Sequence, residues 1–527
     1  MRQSWTAPKT ILALAGLIAG FGFAGDATAQ KSKDLLRMPL LREITTIDPY
    51  METGSVNRFM AENVHDALIQ YDERANKLAP LLAKSWKQVD ETTFDFDLNE
   101  DIQWHDGQKF TADDVVYMLN WASSPESRLV FAATWAWIKK VEKLGPYKVR
   151  LVADKPAPTL LTRLTVDTWI YPKHIHEKLA DKKVYGQGTI TPVGTGPYKF
   201  TQFDRDQGLR LARNADYRHG GAAKPAGSIG NVLIKHIPDV RTQIAGMLVG
   251  DWDLLYDPGI DQSKDLAKDP RFKLTTAATM GIWFMAMDAN NASGNAALTD
   301  DRVRRAIFMA INRDELRGLY RGGESVSFET RNLCFAFMSG CAYDDALIKY
   351  DPEGAKKLLA EAGYGQGGKP VEFEMLSAAG ATPEMLSTAI SGQLRRIGVT
   401  LKPYTPAFNL YLKAEREAKG TARMTIHSPR MPDVLGTTNY FFTPDATRNK
   451  NFIDDFTANL AVKINETLDE GARKSLMKQL TDYNANKALI LPLVSTQVSF
   501  VHTSEIDMKP GGRFEIFGFY LNDLAWK

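Results

Sequence analysis

The amino-acid sequence predicts an α/β protein built from two lobes. Its 527 residues exceed the size of one typical domain. Alternating apolar residues, typical of strands, dominate the first half. From about residue 299 apolar residues recur at helical spacing, and short strands alternate with helices. No internal repeat or long Gly/Ser linker separates the halves, which favours two lobes joined by crossing strands over two independent domains.

The first 29 residues predict a secretory signal. Arg2 and Lys9 supply positive charge, an apolar run covers residues 11–24, and the small residues 27–29 suit cleavage after Ala29. That run is short of the roughly 20 residues that a bilayer span needs, so an N-terminal membrane anchor is the less favoured alternative. No cysteine lies near Ala29 for lipid attachment, and we expect a free periplasmic protein.

The charge balance argues against a nucleic-acid partner. Lys and Arg number 65 against 63 Asp and Glu, a formal charge of +2. Proteins that track a phosphate backbone usually carry a clear basic excess.

Strand and helix signals follow in order along the first half. Phe94, Phe96 and Leu98 alternate as in a half-buried strand. Thr111, with Asp114 three residues later, predicts a capping box at the start of a helix. Further strands are predicted at residues 147–151, 198–200, 209–211 and 232–234.

The second half predicts helix and strand in alternation. Val303, Ile307 and Ile311 share one helical face. The segment 351–363 has a capping Asp at its start and a Gly at its end. A helix over 386–397 leads directly to a strand over 399–402, a unit typical of α/β layers.

The two cysteines, Cys334 and Cys341, have six residues between them. In an oxidising compartment we expect a disulfide, with two separate buried thiols as the alternative. No nearby His or Asn pattern indicates a catalytic cysteine.

No enzyme signature is present, and we expect a protein that is not an enzyme and needs no cofactor. The local motifs of serine hydrolases, P-loop nucleotide binding and zincins do not occur. A carboxylate pair for glycoside hydrolysis has no local signature, so a secreted hydrolase stays an alternative. His174 and His176 could face a metal together on a strand, but they lead into a helix-like segment. We expect ordinary surface or capping histidines and no metal site.

Several segments, in order and spacing, carry a resemblance to a known family. The sequence resembles the extracytoplasmic solute-binding proteins of peptide/nickel-type ABC transporters, the dipeptide- and oligopeptide-binding class known as solute-binding family 5. The segments are Leu78-Ala-Pro-Leu-Leu-Ala-Lys-Ser-Trp86, Trp104-His-Asp-Gly-Gln-Lys-Phe-Thr-Ala-Asp-Asp-Val115, Gly194-Thr-Gly-Pro-Tyr198, Asp301-Arg-Val-Arg-Arg-Ala-Ile307 with Ile311-Asn-Arg313, and Tyr350-Asp-Pro-Glu-Gly-Ala-Lys-Lys-Leu-Leu-Ala-Glu-Ala-Gly363.

The resemblance implies the large, peptide-binding type of periplasmic-binding-protein fold, in which two α/β lobes close on a solute by hinge motion. It places lobe I at residues 30–278 plus 496–527 and lobe II at 279–495. It further implies a monomer that delivers its solute to an inner-membrane ABC permease with cytoplasmic ATPases, without covalent chemistry. A nickel or metallophore receptor of the same family and a sensory receptor are the alternative interpretations.

The resemblance also points to ligand-binding residues. The loop after Thr46 to Pro49 offers Thr53 and Ser55. The strand that enters lobe II offers Trp283 and Phe284, of which one at most should line the cleft because a strand has two faces. Trp135, which would share a face with Trp137 if that segment were extended, is a further candidate.

A third stretch departs from the family pattern. In peptide-binding members a strand here ends in an aromatic and an acidic residue, and the acid anchors the ligand's α-ammonium. His427 stands at the aromatic position and Arg430 at the acidic one, with Ser428 between them. A guanidinium repels an amine and suits a carboxylate or phosphate. We therefore expect an anionic, opine-like or sugar-like solute, or a peptide held in another way, unless Arg430 pairs with Asp433.

Overall fold

A computed structural model describes residues 34–44, 46–51, 55–129, 132–187, 190–204, 206–320, 332–343, 348–417, 420–443, 449–510 and 519–527. The predicted signal, Thr53 and the side chain of Ser55 lie outside this part of the chain.

The described residues form strands and helices in mixed order. The strands are β1 (Leu35–Leu40), β2 (Ile69–Asp72), β3 (Lys77–Pro80), β4 (Ala83–Gln88), β5 (Thr93–Leu98), β6 (Ile138–Gly145), β7 (Lys148–Ala153), β8 (Tyr198–Asp204), β9 (Gly208–Arg213), β10 (Asn231–His236), β11 (Leu254–Tyr256), β12 (Phe272–Met287), β13 (Val371–Leu376), β14 (Val399–Tyr404), β15 (Ala422–His427), β16 (Ile490–Thr503), β17 (Ile506–Met508) and β18 (Leu524–Trp526). The helices are α1 (Ser55–Val64), α2 (Ala112–Ser123), α3 (Leu160–Arg163), α4 (Lys173–His176), α5 (Val240–Val249), α6 (Ile260–Leu266), α7 (Asp301–Met309), α8 (Arg313–Tyr320), α9 (Pro352–Glu361), α10 (Ala381–Arg395), α11 (Phe408–Arg416), α12 (Leu435–Phe441), α13 (Asp455–Glu466) and α14 (Glu470–Lys487).

Three larger sheets organise these strands. Two are four-stranded, with the orders β1-β10-β9-β8 and β4-β5-β7-β6. The third is six-stranded, with the order β11-β16-β12-β15-β13-β14. The strands β2 and β3, and the strands β17 and β18, form separate two-stranded antiparallel pairs.

The long strands β12 and β16 form an antiparallel ribbon that runs through two separate sets of hydrophobic cores. Their pairing extends from Phe272 opposite Thr503 to Ala286 opposite Ile490, with a register shift between Trp283 and Phe284 and a wider irregularity between Ala278 and Ile282. The residues of β12 before this wider irregularity join one set of cores, and those after it join the other. We refer to the part of the molecule around the first half of the ribbon as lobe I and the part around the second half as lobe II.

Lobe I contains two main cores. One surrounds the sheet β4-β5-β7-β6 and α2, and the other surrounds the sheet β1-β10-β9-β8 and the C-terminal residues. Helix α1 bridges them, because Ala61 packs in the first and Phe59 in the second. This subdivision has no counterpart among the sequence predictions.

In lobe II the six-stranded sheet is covered on both faces. Apolar residues of α7, α9 and α10 pack on one face, and residues of α12, α13 and α14 on the other. Cys334 and Cys341 form a disulfide in the second of these cores, with their sulfur atoms 1.95 Å apart. The loop closed by this disulfide hydrogen-bonds to the segment before α12, because the Ser339 N–H donates to the Pro432 carbonyl oxygen at 2.9 Å.

The local signals in the sequence correspond to observed elements. The Thr111–Asp114 capping box is present at the start of α2. Helix α9 begins after its capping Asp351, and α10 leads through Gly398 into β14.

One local expectation is wrong. His176 is fully buried rather than at the surface, because α4 packs against α2 and places the ring among Tyr117, Trp121 and Tyr185. Burial lowers its pKa to about 3, so the neutral ring can accept a hydrogen bond from the Tyr117 hydroxyl at 2.8 Å. His174 pairs instead with Asp106 at 2.7 Å.

Among the described residues, none of the helices has both the length and the hydropathy of a bilayer span.

The glycine pair Gly194 and Gly392 tests this packing. A Cβ on Gly194 would lie 1.8 Å from the Val64 carbonyl oxygen, whereas one on Gly392, inside α10, would meet nothing within 4 Å. We expect Gly194→Ala to lower the free energy of unfolding by about 3 kcal/mol or more, and Gly392→Ala to raise it by about 0.5–1 kcal/mol. Denaturant unfolding of both variants measures this, and equal stability of the two would contradict the packing described.

Candidate functional site

A cavity of about 560 Å³ lies between the lobes. Residues around the end of the 132–137 turns and around α3 form its lobe I wall, and residues of α12 and α13 form its lobe II wall. Cavities of this size with apolar walls and a few polar groups are typical of small-molecule sites. The lining consists of Ala136, Trp137, Asp154, Lys155, Pro156, Ala157, Leu160, Arg163, Leu435, Asn439, Thr443, Val462, Asn465 and Glu466.

Arg430 makes an ion pair between the two lobes. Its Nη1 lies 2.7 Å from Oδ2 of Asp167, and Oδ1 of the same carboxylate lies 3.9 Å from Nε of Arg58. The alternative partner, Asp433, is instead paired with the fully buried Arg473. The guanidinium of Arg430 is therefore neutralised by lobe I, which removes the charge argument for an anionic ligand at this residue.

Asp167 is held in place from the core of lobe I. Its φ of 58° is in the left-handed region, which is uncommon for a residue with a Cβ. The indole N–H of Trp135 donates to its carbonyl oxygen at 2.5 Å, and Trp135 itself stacks on Tyr50 with ring centroids 4.9 Å apart. Trp135 therefore supports the Arg430–Asp167 pair from behind.

Trp135 and Trp137 do not share a face. The segment is a short 3-10 helix followed by turns rather than an extended strand, so Trp135 is fully buried while Trp137 is half-buried and lines the cavity. The two residues were expected to share a face only if the segment were extended, and this condition is not met.

Trp283 and Phe284 point to opposite faces of the six-stranded sheet, as a strand requires. Phe284 is fully buried and packs on Phe441 with ring centroids 4.8 Å apart. Trp283 packs among the helices of the other face, in the core against which Tyr320 also packs. Neither belongs to the lining of the inter-lobe cavity.

His427 and Ser428 lie close to the ribbon. The His427 ring stacks on Tyr440 at 4.3 Å. A Cβ on Gly281 would lie 2.8 Å from the Ser428 hydroxyl and 2.1 Å from that of Thr496, so these groups meet where β12 and β16 are irregular. The ligand-binding roles of Thr53, Ser55, Trp135, Trp283, Phe284, His427, Ser428 and Arg430 stay predictions.

The cavity wall contains a cation, Arg163, that the sequence analysis did not single out, next to Trp137, which it considered only together with Trp135. Arg163, the last residue of α3, places its guanidinium 5.8 Å from the centroid of the Trp137 ring. No motif distinguishes Arg163 from other arginines. Its position in the cavity could have been inferred only by knowing that residues 135–137 form a turn, which places Trp137 beside it.

A buried carboxyl, Asp48, precedes the predicted loop at Thr53. Its Oδ1 accepts hydrogen bonds from the Tyr171 hydroxyl and the Tyr50 N–H, while Oδ2 has no hydrogen-bond partner among the described residues. Burial raises the pKa of Asp48 to about 7 against the opposing effect of these hydrogen bonds. The described residues also contain no group of three or more His, Cys, Asp or Glu side chains placed to hold a metal ion.

Two lobes joined by a strand ribbon, with a cavity of apolar and polar lining between them, define a class of binding protein that holds a solute between its lobes. The model of the bacterial extracellular solute-binding proteins, family 5 (middle region), matches residues 77–449, and the chain belongs to this family.

Individual relatives are similar in sequence, and solved structures share the fold. A Brucella ovis protein named as an ABC transporter peptide-binding protein is 27% identical over 371 residues, which cover 68% of this chain and 66% of the relative. The crystal structure of the ABC transporter substrate-binding protein CtaP from Listeria monocytogenes has a TM-score of 0.80 at 19% identity and covers 93% of this chain and 99% of its own. NikA from Brucella suis, in complex with Fe(III)-EDTA, has a TM-score of 0.78 at 20% identity and covers 94% and 100%.

The Arg430–Asp167 pair predicts a uniform effect on binding. Removing a partly exposed ion pair costs about 1 kcal/mol, so Arg430→Gln should weaken the contact between the lobes and lower the affinity for every ligand about fivefold. Calorimetric titration with chemically different ligands measures this. Loss of affinity for anionic ligands alone would show instead that Arg430 contacts the ligand's charge.

Asp48 predicts a pH dependence of stability. The pKa of Asp48 is about 7 in the folded protein and near 3.8 in the unfolded chain. Between these pH values the folded protein keeps the carboxyl proton and the unfolded chain has released it, so the free energy of unfolding falls as the pH rises. The contribution of protonated Asp48 to the free energy of unfolding is complete below pH about 4 and is lost as the pH rises through 7. At roughly 1.4 kcal/mol per pH unit the loss reaches up to about 4 kcal/mol.

Asp48→Asn should remove this loss, so that the variant gains stability relative to the wild type between pH 4 and 8. Urea unfolding across this range measures the difference. The exposed Asp251→Asn serves as the control for deleting one negative charge, and parallel pH profiles for wild type and Asp48→Asn would contradict the assignment.

Proposed function

We propose that this chain is the exported solute-binding component of an ABC importer. It captures a solute between its lobes in the periplasm and delivers it to an inner-membrane permease driven by cytoplasmic ATPases. Membership of family 5 and the cavity between the lobes support this role. The protein acts without covalent chemistry, as a monomer, after cleavage behind Ala29.

The observation that carries the proposal is a cavity with one wall on each lobe. A ligand that contacts both walls binds the closed form better than the open form and therefore shifts the population toward closure. We propose lobe boundaries at 278/279 and 495/496. They are supported by the irregular pairing between Ala278 and Ile282, opposite residues 495–497 of β16.

The solute is peptide-like, or an anionic, opine-like or sugar-like compound of a size that fits about 560 Å³. A nickel or metallophore complex is the second candidate, favoured by the similarity to NikA, whose structure contains Fe(III)-EDTA. A metal chelate can be held through its organic part, so this candidate does not depend on metal-ligating side chains.

The test is a binding screen on the protein without its predicted signal. Di- and tripeptides, opine-type acids, oligosaccharides and nickel–histidine chelates are added singly, and melting temperature and radius of gyration are measured. A true ligand at a hundredfold excess over its Kd should stabilise the protein by about 2.7 kcal/mol and reduce the radius of gyration.

Mass spectrometry of the recovered ligand completes the test. Recovery of an unchanged ligand, with closure, supports a binding protein. Cleavage of the ligand would favour the secreted hydrolase, and stabilisation without closure would contradict binding between the lobes.

A further inference from the structure

The wall of the inter-lobe cavity contains a guanidinium whose charge is not met by a carboxylate of the described residues. Arg163 lies against the indole of Trp137 and faces the cavity. In the described part of the chain no carboxylate forms an ion pair with its guanidinium, and no acceptor hydrogen-bonds to it.

The acidic groups nearby are already engaged or stand at the edge. Asp433, whose negative charge acts on Arg163, is paired with the buried Arg473 and accepts the Leu435 N–H at 2.7 Å. Glu466 of the lobe II wall pairs with Lys155 of the lobe I wall at 3.1 Å. Asp154 is exposed at the margin of the cavity. Within the described ranges, the cavity therefore presents one positive charge that has no counter-ion.

This arrangement has an energetic cost in the empty protein. Burial lowers the pKa of Arg163 because its charge has lost part of its hydration, and the negative charge of Asp433 offsets this only in part. The face of Trp137 stabilises the cation weakly compared with an anionic partner. An anion that enters the cavity would remove the cost, and this favours its binding.

We propose that Arg163 binds a carboxylate group of the solute, with Trp137 holding the guanidinium plane in position. The inference rests on the proposed function and names the class of solute. Two parallel N–H groups of a guanidinium match the two oxygens of a carboxylate, which a lysine could not do.

The facing wall can complete the site. On lobe II the Nδ2–H of Asn465 donates to Oδ1 of Asn439 at 2.8 Å, so the Nδ2–H group of Asn439 is the part of that amide that can donate to a ligand oxygen. A ligand whose carboxylate binds Arg163 on lobe I and whose second oxygen accepts a hydrogen bond from Asn439 on lobe II would connect the lobes. Both a short peptide with a free C-terminus and an opine-type dicarboxylate supply this chemistry.

The test compares Arg163→Gln with Arg271→Gln. Arg271 also lies over an aromatic ring, 4.9 Å from the Phe272 centroid, but it is exposed, paired with Asp269 and far in sequence from the cavity residues. The probes are a tripeptide library with free C-termini, the same library as C-terminal amides, a set of opine-type dicarboxylates, and neutral oligosaccharides. Melting temperature and calorimetric affinity are measured for each.

We expect Arg163→Gln without ligand to melt at or above the wild-type temperature, because the substitution removes an uncompensated charge. Its affinity for carboxylate probes should fall about 10- to 100-fold, whereas Arg271→Gln should match the wild type. Binding of the peptide library but not of its amides identifies the solute as a peptide with a free C-terminus. Binding of the dicarboxylates alone identifies it as an opine-type compound.

Two results would overturn the inference and leave the proposed function standing: equal carboxylate affinity in wild type and Arg163→Gln, or wild-type binding of amides and sugars in place of carboxylates. A large loss of melting temperature in unliganded Arg163→Gln would assign the residue a structural role instead. Failure of every probe to bind the wild type would contradict the proposed function as well.

Discussion

The architecture depends on the antiparallel ribbon of β12 and β16, which carries backbone hydrogen bonds from one lobe into the other. A rotation between the lobes has to be absorbed where this pairing is irregular, between Ala278 and Ile282. There the Thr279 and Thr496 hydroxyls are 2.6 Å apart, and Gly281 has no room for a Cβ. Because paired residues flank the irregular stretch on both sides, we expect the ribbon to limit the ways in which the two cavity walls can approach each other.

Three arginines near the cleft differ in whether a carboxylate of the protein pairs with them. This difference distinguishes arginines that stabilise the structure from one that can bind a ligand. Arg473 is fully buried, pairs with Asp433 and thereby fixes the segment after Arg430. The disulfide loop braces the same segment, since Val434 N–H donates to the Ser339 carbonyl oxygen at 3.1 Å. Arg430 is satisfied by Asp167 across the cleft. Of the three, Arg163 is the one left for an external anion.

The sequence predicts the fold far better than the site, for a physical reason. Caps, turns and apolar periodicity act over a few residues, so the Thr111 capping box and the helix–strand unit joined at Gly398 could be identified directly. The ion-pair partner of Arg430 is Asp167, 263 positions away in the chain, and no local pattern encodes that contact. The shared face of Trp135 and Trp137 depended in the same way on information beyond the local pattern, because it required an extended segment where the chain forms a short 3-10 helix and turns.

The strength of the contact between the lobes bears on how such a protein can work. An ion pair such as Arg430–Asp167, with one partner about a third exposed, contributes about 1 kcal/mol and shifts the ratio of closed to open forms only about fivefold. A stronger interaction between the lobes would close the cleft without solute and hinder the entry and release of solute. Because this ion pair is weak, most of the free energy of closure has to come from contacts with the ligand. An arginine kept partly dehydrated and without a counter-ion in the described cavity wall favours the occupied cleft over the empty one, because an entering anion supplies the missing partner.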